Sequence, residues 1–177
     1  YKHGLYDIKR DKILDPVYSS VLVMDDGVRL SIGNDYREKS GYYLHDGTLI
    51  EPKYDALLHW DSREVLCKIQ LDNKYGLLGK NGTEILEPVY DEVRDLGTWQ
   101  YAEKDGKTIL ITKDGKIGYV REDMTYIVEP VWDSAYQHFE IIDGSFVYYD
   151  YFDIKKDDKW GVVFMDGSVI KPVSEIG

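Results

Sequence analysis

The stretch Lys74 to Val93, KYGLLGKNGTEILEPVYDEV, decides the fold. Its parts are a lysine and an aromatic before Gly76, a short apolar run, the pair Asn81-Gly82, a second apolar run, and Pro88-Val89-Tyr90-Asp91. Tyr75 to Leu78 is expected to form a strand. Asn-Gly readily takes the two positive φ values of a type I′ turn, so Glu84 to Leu86 is expected to fold back antiparallel. Proline cannot donate to a ladder, so Pro88 marks a bend or an edge position before Tyr90 resumes the strand. Gly76 leaves a bare patch of backbone, and an aromatic ring from a neighbouring strand or repeat is expected to lie over it.

Outward from this stretch the same parts recur. Gly4 with Pro16, Gly41 with Pro52, Gly118 with Pro130 and Gly161 with Pro172 repeat the Gly76 to Pro88 interval at 11 or 12 residues, while successive marker glycines stand 35 to 43 residues apart. A constant inner core with a variable connector is the pattern of tandem structural repeats, because insertions fall in loops while the packing unit is kept. The repeats are delimited as 1–39, 40–73, 74–115, 116–158 and 159–177, together one domain over 1–177. The aromatic after the proline recurs as Tyr54, Tyr90 and Trp132, the expected covers of the glycines. Departures fall at His3, Ser40 and Ile117 in place of the aromatic, and at Met124-Thr125 in place of the turn pair. Seven Asx-Gly pairs, at Asp26, Asp46, Asn81, Asp105, Asp114, Asp143 and Asp166, predict a meander of hairpins throughout. The long connector from Gly97 predicts an extra hairpin, Trp99 to Glu103 against Thr108 to Thr112.

These residues resemble the WG-repeat family of bacterial proteins, whose motif joins a Lys-Trp-Gly strand, an Asn/Asp-Gly turn and a Pro-x-Tyr-Asp segment. The resemblance covers nearly the whole chain and is specific through its recurrence. It implies an all-β repeat scaffold and brings no shared catalytic residue. Two architectures satisfy the pattern: five tandem antiparallel hairpin or meander repeats in an open β-solenoid-like array, or a closed propeller-like ring. The sequence stops just after the Pro172 segment, with no strand left to complete a final blade, so the open array is the expectation.

Composition bounds the function. A chain of 177 residues can bury on the order of 70% of its unfolded surface, so no metal or disulfide staple is demanded. Tyrosine dominates the aromatics, 16 against 4 phenylalanines, which suits half-buried pleated surfaces with wet outer edges. The net charge of −11, with basic residues scattered among acids, argues against duplex nucleic acid and suits a basic partner. No apolar run reaches the roughly 18 residues of a membrane span. The natural start is expected upstream of Tyr1, which leaves cytoplasm and bacterial envelope both open as compartments. Cys67 alternates onto an apolar face with Val65, Ile69 and Leu71 and reads as a buried, inert thiol.

Chemistry is sparse. The four histidines, His3, His45, His59 and His138, show no metal-ligand spacing, and no nucleophile elbow or phosphate loop occurs. Asn81-Gly82-Thr83 matches a glycosylation sequon but reads as a turn. The densest feature is Ser145 to Ile154, SFVYYDYFDI. Period-2 geometry puts Phe146, Tyr148, Asp150, Phe152 and Ile154 on one side and Val147, Tyr149, Tyr151 and Asp153 on the other, and one face should be wet. Tyr149, Tyr151, Asp150 and Asp153 are the candidate binding residues. The expectation is a non-catalytic interaction module without cofactor or metal, facing a basic protein; the alternative is a carbohydrate or cell-envelope binding module.

Overall fold

The computed structural model describes residues 1–34, 37–96 and 108–174, with side chains as far as Ile170. All regular structure among them is β-strand, in small antiparallel sheets, and none of these sheets closes into a barrel. The first sheet pairs β1 (His3–Asp7) with β2 (Lys12–Tyr18). Four four-stranded meanders follow. They are β3 (Ser20–Met24), β4 (Gly27–Ile32), β5 (Lys39–Leu44) and β6 (Leu49–Tyr54); β7 (Ala56–His59), β8 (Val65–Leu71), β9 (Lys74–Gly79) and β10 (Glu84–Tyr90); β11 (Glu92–Asp95), β12 (Thr108–Lys113), β13 (Lys116–Arg121) and β14 (Tyr126–Trp132); and β15 (Ser134–Ile142), β16 (Ser145–Lys156), β17 (Lys159–Phe164) and β18 (Val169–Ser174). Thr108 to Lys113 pairs with β11 and β13, whereas Trp99 to Glu103 lies outside the described residues.

One residue carries the chain from each sheet to the next. The amide N–H of Ser19, Asp55, Asp91 and Asp133 donates to a carbonyl of the following sheet, that of Ser31, Gln70, Thr112 and Lys155 respectively. The aspartates add a second tie, since Oδ2 of Asp55, Asp91 and Asp133 accepts the N–H of Asp72, Asp114 and Asp157 at 2.7, 2.7 and 2.9 Å. Carboxylate oxygens thereby satisfy turn amides that no ladder reaches. Lys39 and Lys116, two residues before their marker glycines, pair with the same aspartates, Asp55 and Asp133.

Two kinds of turn recur among the described residues, and this corrects the expectation for Asn81-Gly82. Within the glycine hairpin, Gly82 alone is left-handed (φ 83°); Gly82 N–H donates to Gly79 O and Gly79 N–H to Thr83 O, a type I turn closed by a glycine bulge. Asn81 stays right-handed and its Oδ1 accepts the Thr83 N–H at 3.1 Å. Leu44 to Thr48, Arg121 to Thr125 and Phe164 to Ser168 repeat the design, with Met124 (φ 66°) standing where the others have glycine. The two-residue turns with both φ positive fall instead at Asp72-Asn73, Asp114-Gly115, Asp143-Gly144 and Asp157-Asp158.

The marker glycine also has a different cause from the ring cover expected of Tyr54, Tyr90 and Trp132. Ile117 faces Trp132 and Tyr119 faces Val128, so Gly118 stands against three residues, Glu129, Pro130 and Val131. The strand with the proline bows over it. A Cβ on Gly118 would lie 2.7 Å from Val128 O and from Pro130 N, and Gly41 and Gly76 meet the backbone of Ile50 and Leu86 more closely still. Glycine is required by backbone approach at a bulge, and proline fits there because the bulge needs no donor. The shifts at His3/Leu5, Ser40/Tyr42 and Trp160/Val162 put Gly4, Gly41 and Gly161 in the same register beside Pro16, Pro52 and Pro172.

The chain divides into two compact units, Tyr1–Val89 and Tyr90–Gly177. In the first, Leu14, Tyr18, Leu30 and Tyr43 form one core, while Tyr42, Leu44, Ile50 and Tyr54 pack with Leu57, Leu66, Cys67, Ile69 and Leu78 in another. Tyr54 is almost fully buried, yet its hydroxyl reaches Glu84 Oε1 at 2.6 Å. Burial pushes the Cys67 thiol up to about 12, so it stays a neutral, inert thiol. In the second unit Leu110, Tyr119, Ile127 and Val128 pack on Ala135, Phe152, Ile154 and Val163, and the Tyr119 hydroxyl donates to Ala135 O at 2.8 Å.

Candidate interaction site

β15 and β16 are the longest strands, of nine and twelve residues, because the alternation of Ser145 to Lys156 meets an equally strand-forming run before the Asp143-Gly144 turn. The β17 ladder on β16 runs from Lys156 to Tyr151 and ends there against Phe164. Beyond it the hairpin continues as a ribbon in which Phe139 faces Tyr148, Glu140 faces Val147 and Ile141 faces Phe146.

At the base of this ribbon lies a further bulge. Gln137 faces Phe152 and Phe139 faces Tyr148, so His138 alone stands against Tyr149, Asp150 and Tyr151. The equivalent pairs β3 with β4, β7 with β8 and β11 with β12 run without a shift. No glycine or proline is involved; polar groups take up the freed carbonyls instead. Gln137 Nε2 donates to Tyr149 O at 3.1 Å, and Met165 N–H donates to Asp150 O at 3.0 Å.

The bulge gathers aromatic and ionisable side chains on one sheet face. The His138 ring stacks on Tyr151, with centroids 4.7 Å apart and planes 20° apart, and meets Tyr149 edge-on at 5.3 Å. His138 Nδ1–H donates to Asp153 Oδ2 at 2.6 Å, and the Tyr149 hydroxyl donates to Glu140 Oε2 at 2.8 Å. Tyr136, opposite Asp153, lies edge-on to Trp160 at 5.9 Å. Partial burial and the charges of Asp153 and Glu140 push the Tyr151 hydroxyl above its ordinary value, so it presents a neutral donor.

Of the four candidate residues, Tyr149, Tyr151 and Asp153 converge around His138, while Asp150 does not join them. Its carboxylate is exposed and makes no hydrogen bond or ion pair among the described residues. Two partners were not singled out from sequence, His138 and Glu140. The signal that could have found them is the Asp143-Gly144 turn: read backward, it pairs Glu140 with Val147 and places His138 opposite the tyrosines. Chemically the cluster offers stacking faces, hydroxyl donors and carboxylate acceptors. Among the described residues no group of three His, Cys, Asp or Glu side chains is placed to hold a metal, and no helix is long and apolar enough to cross a membrane.

Sheets of one design, each closed by the same glycine and proline bulge, define a β-repeat module. The family model described as WG containing repeat matches residues 75–96, the strand, turn and Pro-x-Tyr-Asp segment of β9 and β10 with the start of the next sheet, and supports the WG-repeat family. No curated protein and no solved structure matches the chain.

Proposed function

We propose that the chain is a bacterial WG-repeat scaffold along its whole length, that it binds another protein without catalysing a reaction, and that the partner's contacting surface is basic. The single observation that carries this reading is the bulge at His138. The bulges at the marker glycines set a glycine against backbone, whereas this one turns two tyrosines, a histidine and carboxylates toward the surface, and bulges that re-aim side chains recur beside functional sites. Rigid aromatics with few rotamers beside carboxylates suit recognition of lysine and arginine side chains. The net charge of −11 adds long-range attraction for such a partner and disfavours nucleic acid.

Carbohydrate or cell-envelope binding is the second reading, favoured by Tyr136 and Trp160 on the same face as the cluster. Salt separates the two. Binding to a partner captured from the source cell should weaken by about tenfold or more between roughly 50 and 500 mM salt if charge steers it, and Tyr149→Ala with Tyr151→Ala should abolish it. Binding to a glycan that is indifferent to salt and lost with Trp160→Ala would replace the protein reading with the carbohydrate one.

A further inference from the structure

The ribbon beyond the bulge carries a second set of residues, unused by the cluster. On one face Phe139, Ile141, Phe146 and Tyr148 line up, with ring centroids 5.4 Å apart for Phe139 and Phe146 and 5.8 Å for Phe139 and Tyr148. Ile141 is 64% exposed, Phe146 54% and Ile142, near the tip, 47%. β15 is also an outermost strand of its sheet. From Phe139 to Ile142 that outer edge holds neither a lysine nor a proline, the residues that commonly protect an exposed edge from pairing.

We infer that this edge of β15 accepts an extended segment of another protein, one that alternates apolar and basic residues and adds as a further strand. The inference rests on the protein-binding reading above and names its partner's chemistry. A strand laid along Phe139 to Ile142 has alternate side chains on opposite faces. On one face they meet Phe139, Ile141 and the Phe146 ring, and apolar residues fit. On the other they meet Glu140 and Ile142, with Asp143 at the turn, and lysine or arginine fits beside the Glu140 carboxylate. The acidic surroundings disfavour a second copy of this chain and an anionic lipid surface.

The test uses the 177-residue chain and a fluorescent heptapeptide alternating lysine and valine, followed by anisotropy at low salt. Binding is expected, with a loss of about fivefold or more in Ile141→Ser with Phe146→Ser. Glu140→Gln should weaken it less and flatten its salt dependence. Val23→Ser, at a still more exposed apolar position on the outer strand β3, should leave it unchanged, and thermal melts of every variant establish that the fold persists. No binding up to about 1 mM peptide overturns the inference. So does equal binding of a lysine-serine or glutamate-valine peptide, or Phe146-dependent binding to anionic vesicles in place of the peptide. A captured partner that is lost with Tyr149→Ala and Tyr151→Ala but kept by Ile141→Ser with Phe146→Ser removes the ribbon from the interface and leaves the protein-binding reading standing.

Discussion

Two bulges in the second unit have the same arithmetic, three residues against one, and opposite uses. At Gly118 the extra residues are Glu129, Pro130 and Val131, and the chain closes over a residue without a side chain. At His138 they are Tyr149, Asp150 and Tyr151, and side chains fan out around an imidazole. The same backbone irregularity serves as a packing device in one place and as a display in the other. What separates them is the residue at the single position: glycine lets backbone touch backbone, whereas a ring holds the bowed strand away.

The sharpest way to break that comparison is to give both single positions a methyl group. Gly118→Ala forces a Cβ to within 2.7 Å of Val128 O and Pro130 N, atoms of a backbone that cannot swing aside. A loss of about 3 kcal/mol or more in urea-melt stability is expected. His138→Ala removes a partly exposed ring and one hydrogen bond, and should cost about 1 kcal/mol or less. Equal losses at the two sites would mean that the His138 bulge is a packing element too.

Tyrosine hydroxyls provide the next test. Tyr119 donates to Ala135 O in the core, so Tyr119→Phe leaves a buried carbonyl short of a donor and should cost about 1–2 kcal/mol. Tyr149 donates to Glu140 at an exposed pair, and Tyr149→Phe should fall within about 0.5 kcal/mol of the parent while weakening partner binding. A smaller effect is expected at Met124, which holds a left-handed φ of 66° where the equivalent hairpins use glycine. Met124→Gly relieves that strain and should stabilise the protein by about 0.5–1 kcal/mol in the same melts.

The repeat was legible because its constraints are local or periodic. The Gly to Pro interval, the turn positions marked by Asx-Gly pairs and the alternation around Cys67 can each be read without knowledge of neighbours. Why Gly76 and Gly118 are glycine was not legible, since the cause is a carbonyl ten residues onward across a bulge whose register no pattern displays. The turn at Asn81-Gly82 was misassigned for a related reason: Asn-Gly supports both turn kinds, and the pairing of Gly79 with Thr83 decides between them. At the site, strand parity correctly grouped Tyr149, Tyr151 and Asp153. The same parity sets Asp150 on the opposite side, whereas His138 depended on the β15 pairing, a contact between strands that no single strand contains.

The smallest expected effect concerns the aspartates that carry the chain between sheets. The Lys116 ammonium, followed by the Asp157 N–H, holds the Asp133 carboxyl below its ordinary range. A depressed carboxylate contributes stability that is fully present above its unfolded pKa, about 3.9, and is lost as pH falls through the folded value. Asp133→Asn should therefore flatten the acid limb of the melt below about pH 4 and change the midpoint little near pH 7, because the ion pair is exposed on both sides. Lys116→Met removes the larger of the two causes, moves the folded value back toward the unfolded one and should make the acid limb shallower, leaving only the Asp157 tie. If the acid limb keeps its shape in both variants, the Asp133 carboxylate contributes nothing to stability, and the motif's aspartate works through its backbone alone.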